Sequence, residues 1–138
     1  MTHYYRYYVL VMLTVVSMIN IMDRLILSIL LEDIKAEFTF TDTQLGVLAG
    51  LAFALFYALM SIPIARWADI SNRKNILAAA LIIWSGMTAL CGAATGFVSL
   101  FLARLGVGIG EAGGSPPSYS IIADYFKPSE RARAMGVY

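Results

Sequence analysis

The sequence predicts an all-α fold, a polytopic bundle of transmembrane helices, on three observations. Of its 138 residues 59% are hydrophobic and 14% charged, with a mean hydropathy of +0.73. Soluble domains carry about 25% charged residues, so this chain has too little polar surface for water. Its charges are also bunched, leaving uncharged stretches at 7–22, 43–65, 75–103 and 112–123. At about 20 apolar residues per crossing, the length accommodates four to five spans and no sizeable soluble domain. Ten Lys+Arg against nine Asp+Glu, net +1, exclude a strongly basic nucleic-acid binder and an acidic tail, so the expected partner is the lipid bilayer and not nucleic acid. Cys91 is the single cysteine and His3 the single histidine, so neither an internal disulfide nor a Cys/His metal centre is expected.

The first helix is predicted over 7–31. Asp23 and Arg24 interrupt its apolar run, but Leu25 to Leu31 continue it. No small-residue cleavage site follows, which argues against a signal peptide. A loop carrying Glu32, Asp33, Lys35, Glu37 and Asp42, net −3, precedes a second helix at 44–66, where Thr41 and Gln44 have capping-box spacing. A third helix is predicted at 76–94 and a fourth at 97–123, joined by a tight turn at Thr95-Gly96. A fifth begins near 130. Arg66, Arg73, Lys74, Lys127, Arg131 and Arg133 gather on one side, which the positive-inside rule makes cytoplasmic together with the N-terminus. A multi-pass protein of a plasma or inner membrane is therefore expected. Gly46, Gly50, Ala54 and Ala58, and likewise Gly106, Gly110 and Gly114, recur every four residues and read as helix-packing stripes. Pro116-Pro117 should bend the fourth helix.

Four ionisable residues fall at membrane depth: Asp23, Arg24, Arg104 and Glu111. Exposed to lipid they would cost on the order of 12 kcal/mol together, so they must face inward and pair. Counting about 1.5 Å per residue puts Asp23 about 12 Å deep, Arg104 about 10 Å and Glu111 about 21 Å, a depth match for an Asp23–Arg104 pair. Thr14, Ser17, Asn20, Arg24 and Ser28 form a polar stripe on the first helix, and Arg104, Gly108, Glu111, Ser115 and Ser118 a second on the fourth. Two such faces meeting at a charge cluster suit a water-accessible solute and ion path; the plainer alternative is an ion-pair network that fixes helix register. Glu111 is the candidate for proton exchange, because burial opposes its charged form while Arg104, two turns away, favours it. Asp23, Arg24, Arg104 and Asn20 complete the candidate coupling site.

The segment Gly108 to Gly113 matches the dinucleotide fingerprint G-x-G-x-x-G. Prolines fall inside the helix that motif requires, and Asp124 comes too early for its acidic residue. No nucleophile, base or metal-ligand arrangement supports an enzyme, and no cofactor is expected beyond protons as coupling ion.

The stretch Ala65-Arg-Trp-Ala-Asp69-Ile-Ser-Asn72-Arg73-Lys74 resembles the cytoplasmic signature of the major facilitator superfamily, with Ala65 and Asn72 in place of the usual glycines and Ile70 in place of a usual Arg. Asn72 before Arg73-Lys74, Asn20-Ile-Met-Asp23-Arg24, and Arg104 followed by Gly108-Ile-Gly-Glu111-Ala112 resemble its spinster-like branch of lipid transporters. The resemblance covers essentially all 138 residues but only the first third of a family built from two six-helix halves. It therefore implies a partial N-terminal half, helices 1 to 4 and the start of helix 5, of a transporter of about 400 residues whose C-terminal helices are its missing partners. It also implies proton-linked movement of an organic solute, such as a lysolipid or sphingolipid-like amphiphile, with Asp69, Arg73 and Lys74 as a cytoplasmic gate. The residues alone leave open a complete four-helix protein acting as an oligomeric exporter or a non-transporting assembly partner.

Overall fold

The computed structural model describes residues 3–138. Among them the elements are all helical: α1 (His3–Phe38), α2 (Asp42–Gly46), a π-helical turn (Val47–Leu51), α3 (Ala52–Ile70), α4 (Arg73–Gly92), α5 (Phe97–Ala112), α6 (Ser115–Tyr125) and α7 (Pro128–Val137). Four stretches are long and apolar enough to cross a membrane: Tyr4–Phe38, Asp42–Ile70, Arg73–Gly92 and Phe97–Tyr125.

Helix α1 extends well past the hydropathy-derived 7–31. Glu32, Asp33, Lys35 and Glu37 all lie inside it, because charged residues of good helix propensity end the membrane core without ending the helix. Its 36 residues make a rod of about 54 Å, longer than a bilayer core of about 30 Å. It stops where Thr39 adopts a positive φ of 54°, an unusual conformation for a β-branched residue. The capping box is present: Thr41 Oγ1 accepts from the Gln44 amide (3.3 Å) and the Thr41 amide donates to Gln44 Oε1 (2.9 Å).

The fourth span is broken into two helices. Pro116 and Pro117 have no amide hydrogen to return to Ala112 and Gly113, so α5 closes through Gly113 and Gly114 and α6 restarts with proline in its first turn. Helix α5 is the centre of the bundle, packed on α4 and α3. A Cβ on Gly110 would sit 2.6 Å from the Trp84 backbone nitrogen, and one on Gly108 3.0 Å from the Phe53 carbonyl oxygen, so these positions admit no side chain without backbone movement. The stripe continues toward Ala80 through Gly113, since the chain breaks before Gly114 can take that place. Gly46 and Gly50 meet nothing within 4 Å among the described residues, so the α2–α3 stripe of small residues lies outside the contacts seen here.

Two apolar clusters flank the middle of the bundle. One, at the end rich in Lys and Arg, joins Leu10 and Leu13 of α1 to Leu77, Ile122, Phe126 and Ala134. The other, at the acidic end, gathers Phe40, Leu45, Leu48 and Leu100, with Phe40 stacked on Phe38 and edge-on to Phe97. Between them, at the level of Asp23 and Arg24 on α1, lies the polar layer.

Candidate functional site

Consecutive residues on a helix point about 100° apart, and the chain uses this at Asp23 and Arg24. Arg24 faces α3 and α5, where its Nε donates to Glu111 Oε2 at 2.7 Å. The Glu111 side chain is fully buried, whereas that of Arg24 is 40% exposed. The guanidinium also lies over the rings of Phe53 (4.9 Å) and Tyr57 (5.0 Å), which replace part of its hydration. Glu111 Oε1 is buried without a well-formed hydrogen bond, with the Asn20 side chain as its neighbouring polar group. It borders a small cavity of about 30 Å³, lined among others by Ser17, Asn20, Trp84 and Ser115. That volume holds about two water molecules, enough to complete the coordination of a carboxylate or hand it a proton.

Asp23 faces α4. Trp84 Nε1 (3.0 Å) and Thr88 Oγ1 (3.1 Å) both donate to its Oδ2. It opens onto a cleft of about 350 Å³ toward the acidic end, with apolar walls from Ile26, Leu27, Leu30, Ile34 and Leu100. Arg104, 4% exposed, lines the same cleft. Its guanidinium lies 5.2 Å from the Phe53 ring centre, its Nε is buried without a hydrogen-bond partner, and it forms no ion pair among the described residues.

The expected Asp23–Arg104 pair is thus not formed; the ion pair is Arg24–Glu111. Depth along the axis placed all four residues in one layer but carries no information on azimuth, which decides the partner. Phe53, Tyr57, Trp84 and Thr88 were missed because aromatic residues and threonine in a membrane helix read as packing. The spacing of four between Phe53 and Tyr57, and between Trp84 and Thr88, places each pair on one helix face, and that is the signal their sequence offered.

At the basic end Arg73 pairs with Asp124 of α6, tying the start of α4 to the end of the fourth span. Asn72 caps α4 by accepting from the Lys74 amide (3.1 Å), a role the glycine usual at that place in the signature could not perform. Asp69 is exposed and forms no ion pair among the described residues. Arg6 donates to both carboxylate oxygens of Glu130 (2.7 and 3.3 Å), joining α1 to α7. That contact holds Glu130 below the ordinary carboxylate range.

A bundle of membrane-length helices around a buried Arg–Glu pair defines a polytopic membrane protein with a polar core. The profile of the Major Facilitator Superfamily matches residues 13–138, and the chain belongs to that family. It is spinster-like in sequence and fold. Crystal structures of a bacterial homologue of the human lysosomal transporter Spinster, inward-facing and either unoccupied or occupied, superpose with a TM-score of 0.96 at 49% identity. They cover all of this chain and 29% or 30% of theirs. An MFS-type efflux pump of Mycolicibacterium smegmatis is 38% identical over 91% of the chain and 29% of its own length. A probable L-galactonate transporter of Escherichia coli is 32% identical over 88% and 27%. Protein spinster homolog 1 of Xenopus laevis is 32% identical over 94% and 25%. The chain spans less than a third of the length of each of these relatives.

Proposed function

We propose that this chain supplies the proton-exchanging helices of a secondary transporter that moves an organic solute across a plasma or inner membrane, with its N-terminus and basic end in the cytoplasm. The observation that carries the reading is Glu111: a fully buried carboxyl, neutralised by one partly exposed arginine, with one oxygen left to a water-sized cavity. When the solute or a helix movement draws Arg24 toward solvent, the buried carboxylate left behind is unpaired, and taking a proton relieves that cost. Asn20 borders the same cavity and interacts with the Glu111 carboxyl through its side chain. Asp23 and Arg104 meet the solute from the cleft. Asp69, Arg73 and Lys74 belong to a cytoplasmic gate, in which Arg73–Asp124 is the closure within this chain.

The cleft favours an amphiphile, a lysolipid or sphingolipid-like molecule, because an apolar wall leads to a compact charged end. The test reconstitutes the native protein in liposomes and follows uptake of labelled lysophosphatidylethanolamine, with D-galactonate as a non-amphiphilic comparator. Uptake of the lysolipid should respond to pH, and Glu111→Gln should remove that response while leaving the protein inserted. Uptake of galactonate alone would overturn the amphiphile. A pH response unchanged in Glu111→Gln would overturn the proton role.

A further inference from the structure

A groove of about 390 Å³ lies between α1 and α7 at the basic end, away from the polar layer. That is within the range of about 300–1,000 Å³ that ligand sites occupy. Its floor belongs to the apolar cluster of that end, where Leu10, Phe126 and Ala134 are buried, and its walls include Val11 and Val137, both more than half exposed. Ser129, Arg133 and Val137 are spaced by four and share one face of α7. Tyr7, Leu10 and Val11 share the facing side of α1. Both helices begin at this end, so on each wall the polar residues come first and the apolar ones follow deeper. From Ser129 to Val137 the helix advances about 12 Å, more than the 5–8 Å or so of a headgroup layer, so the groove runs from headgroup level into the acyl chains. The tyrosines fix that level. Tyr4, Tyr5, Tyr7 and Tyr8, exposed on the first turns of α1, and Tyr125 against Tyr5 form the kind of aromatic belt that marks a membrane–water interface.

Among the described residues, the charged groups lining the groove are Glu130 and Arg133. Glu130 is neutralised by Arg6, which donates to both its oxygens and lies over the rings of Tyr7 and Phe126. Arg133 is exposed and forms no ion pair among the described residues. The groove therefore carries one uncompensated positive charge, on the same helix face as the Ser129 hydroxyl and above an apolar floor.

We propose that this groove holds an anionic glycerophospholipid of the surrounding bilayer, with its phosphate at Arg133 and Ser129 and an acyl chain between Val11 and Val137. A guanidinium meets a phosphate with two parallel hydrogen bonds, and a serine hydroxyl can add a third. A soluble anion would leave the apolar walls unused, and a zwitterionic lipid would leave the groove's charge uncompensated. The side of the membrane that collects this chain's basic residues, cytoplasmic in the reading above, is also the side rich in anionic lipid. Such a lipid is a resident of the protein, at the opposite end of the bundle from the solute cleft of Asp23 and Arg104. Its binding does not depend on how protons or solute move.

The test is native mass spectrometry of the native protein released from detergent micelles, titrated with phosphatidylglycerol and, separately, with zwitterionic phosphatidylethanolamine of the same chains. One phosphatidylglycerol should bind about fivefold more tightly than phosphatidylethanolamine, the factor that one arginine supplies near an anionic headgroup. Arg133→Gln should abolish that preference, whereas Lys127→Gln, which removes a nearby cation outside the groove, should keep it. Val137→Trp, which fills the apolar wall, should weaken binding of both lipids. Equal affinity of the wild type for the two lipids overturns the proposal, and is the result expected if another part of the native protein fills the groove. A Lys127→Gln variant that loses as much preference as Arg133→Gln overturns it by reducing the effect to diffuse charge, as does a Val137→Trp variant that binds like the wild type. Displacement of the bound phosphatidylglycerol by equimolar inorganic phosphate or lysophosphatidylethanolamine overturns it too, giving the groove to a soluble anion or to the solute.

Discussion

Asp23 and Glu111 bear the same charge in the same layer of the bundle, yet the chain holds them by opposite means. Glu111 has a full countercharge, Arg24, in a fully buried setting. Asp23 has two neutral donors and an open cleft. A countercharge binds strongly but is lost all at once when its side chain swings away. Neutral donors bind less strongly and release the carboxylate in step with the backbone that carries them. One layer thus holds one carboxylate through a long, partly exposed side chain and the other through donors fixed to α4.

The largest effect that would break this contrast comes from Arg24→Ala, which leaves a buried carboxylate unpaired. It should cost about 3 kcal/mol in thermal or denaturant unfolding, the low end for a buried pair because Arg24 is itself 40% exposed. Combining it with Glu111→Gln should recover most of that loss; a double variant as unstable as the single one would show that the arginine acts through packing on Phe53 and Tyr57 instead. Next, Gly110→Ala forces a methyl into the Trp84 backbone and should destabilise by about 1–3 kcal/mol, while Gly86→Ala, with nothing within 4 Å, should be neutral or stabilising by the same measurement. The smallest effect belongs to Arg6–Glu130, a pair outside the layer that serves as its reference. The Glu130 carboxyl lies below its usual range when folded, so its contribution is present above the unfolded-state value near 4.5 and is lost as pH falls through the folded one. Arg6→Gln should accordingly lower stability slightly at neutral pH, leave it almost untouched once pH falls below the folded value, and so flatten a small part of the acid limb. An equal loss at neutral and acid pH would contradict that sign.

Hydropathy and charge bunching made the four spans, the Thr41 cap and the four-residue polar layer legible, because each depends on residue type and position along one axis. Three features were not. The extent of α1 through Glu32 to Phe38 depends on helix propensity beyond the membrane, which hydropathy does not register. The break at Gly113-Gly114 depends on two missing amide hydrogens in a row and a pair of flexible residues ahead of them, where a single bend was expected. The exchange of partners among Asp23, Arg24, Arg104 and Glu111 depends on rotation about the helix axis, and so does the appearance of Trp84 and Thr88 at the carboxylate. Asp124, the partner of Arg73, was visible only as a residue at the wrong spacing for a nucleotide motif.

The central claim is that protons cross at Glu111. The most direct measurement records lumenal pH in proteoliposomes of the native protein and of Glu111→Gln, using an entrapped pH dye, as lysophosphatidylethanolamine is added outside. The account predicts a solute-dependent pH change in the wild type and none in the variant, with exchange of labelled for unlabelled lysolipid retained in both. A pH change of equal size in Glu111→Gln would contradict it.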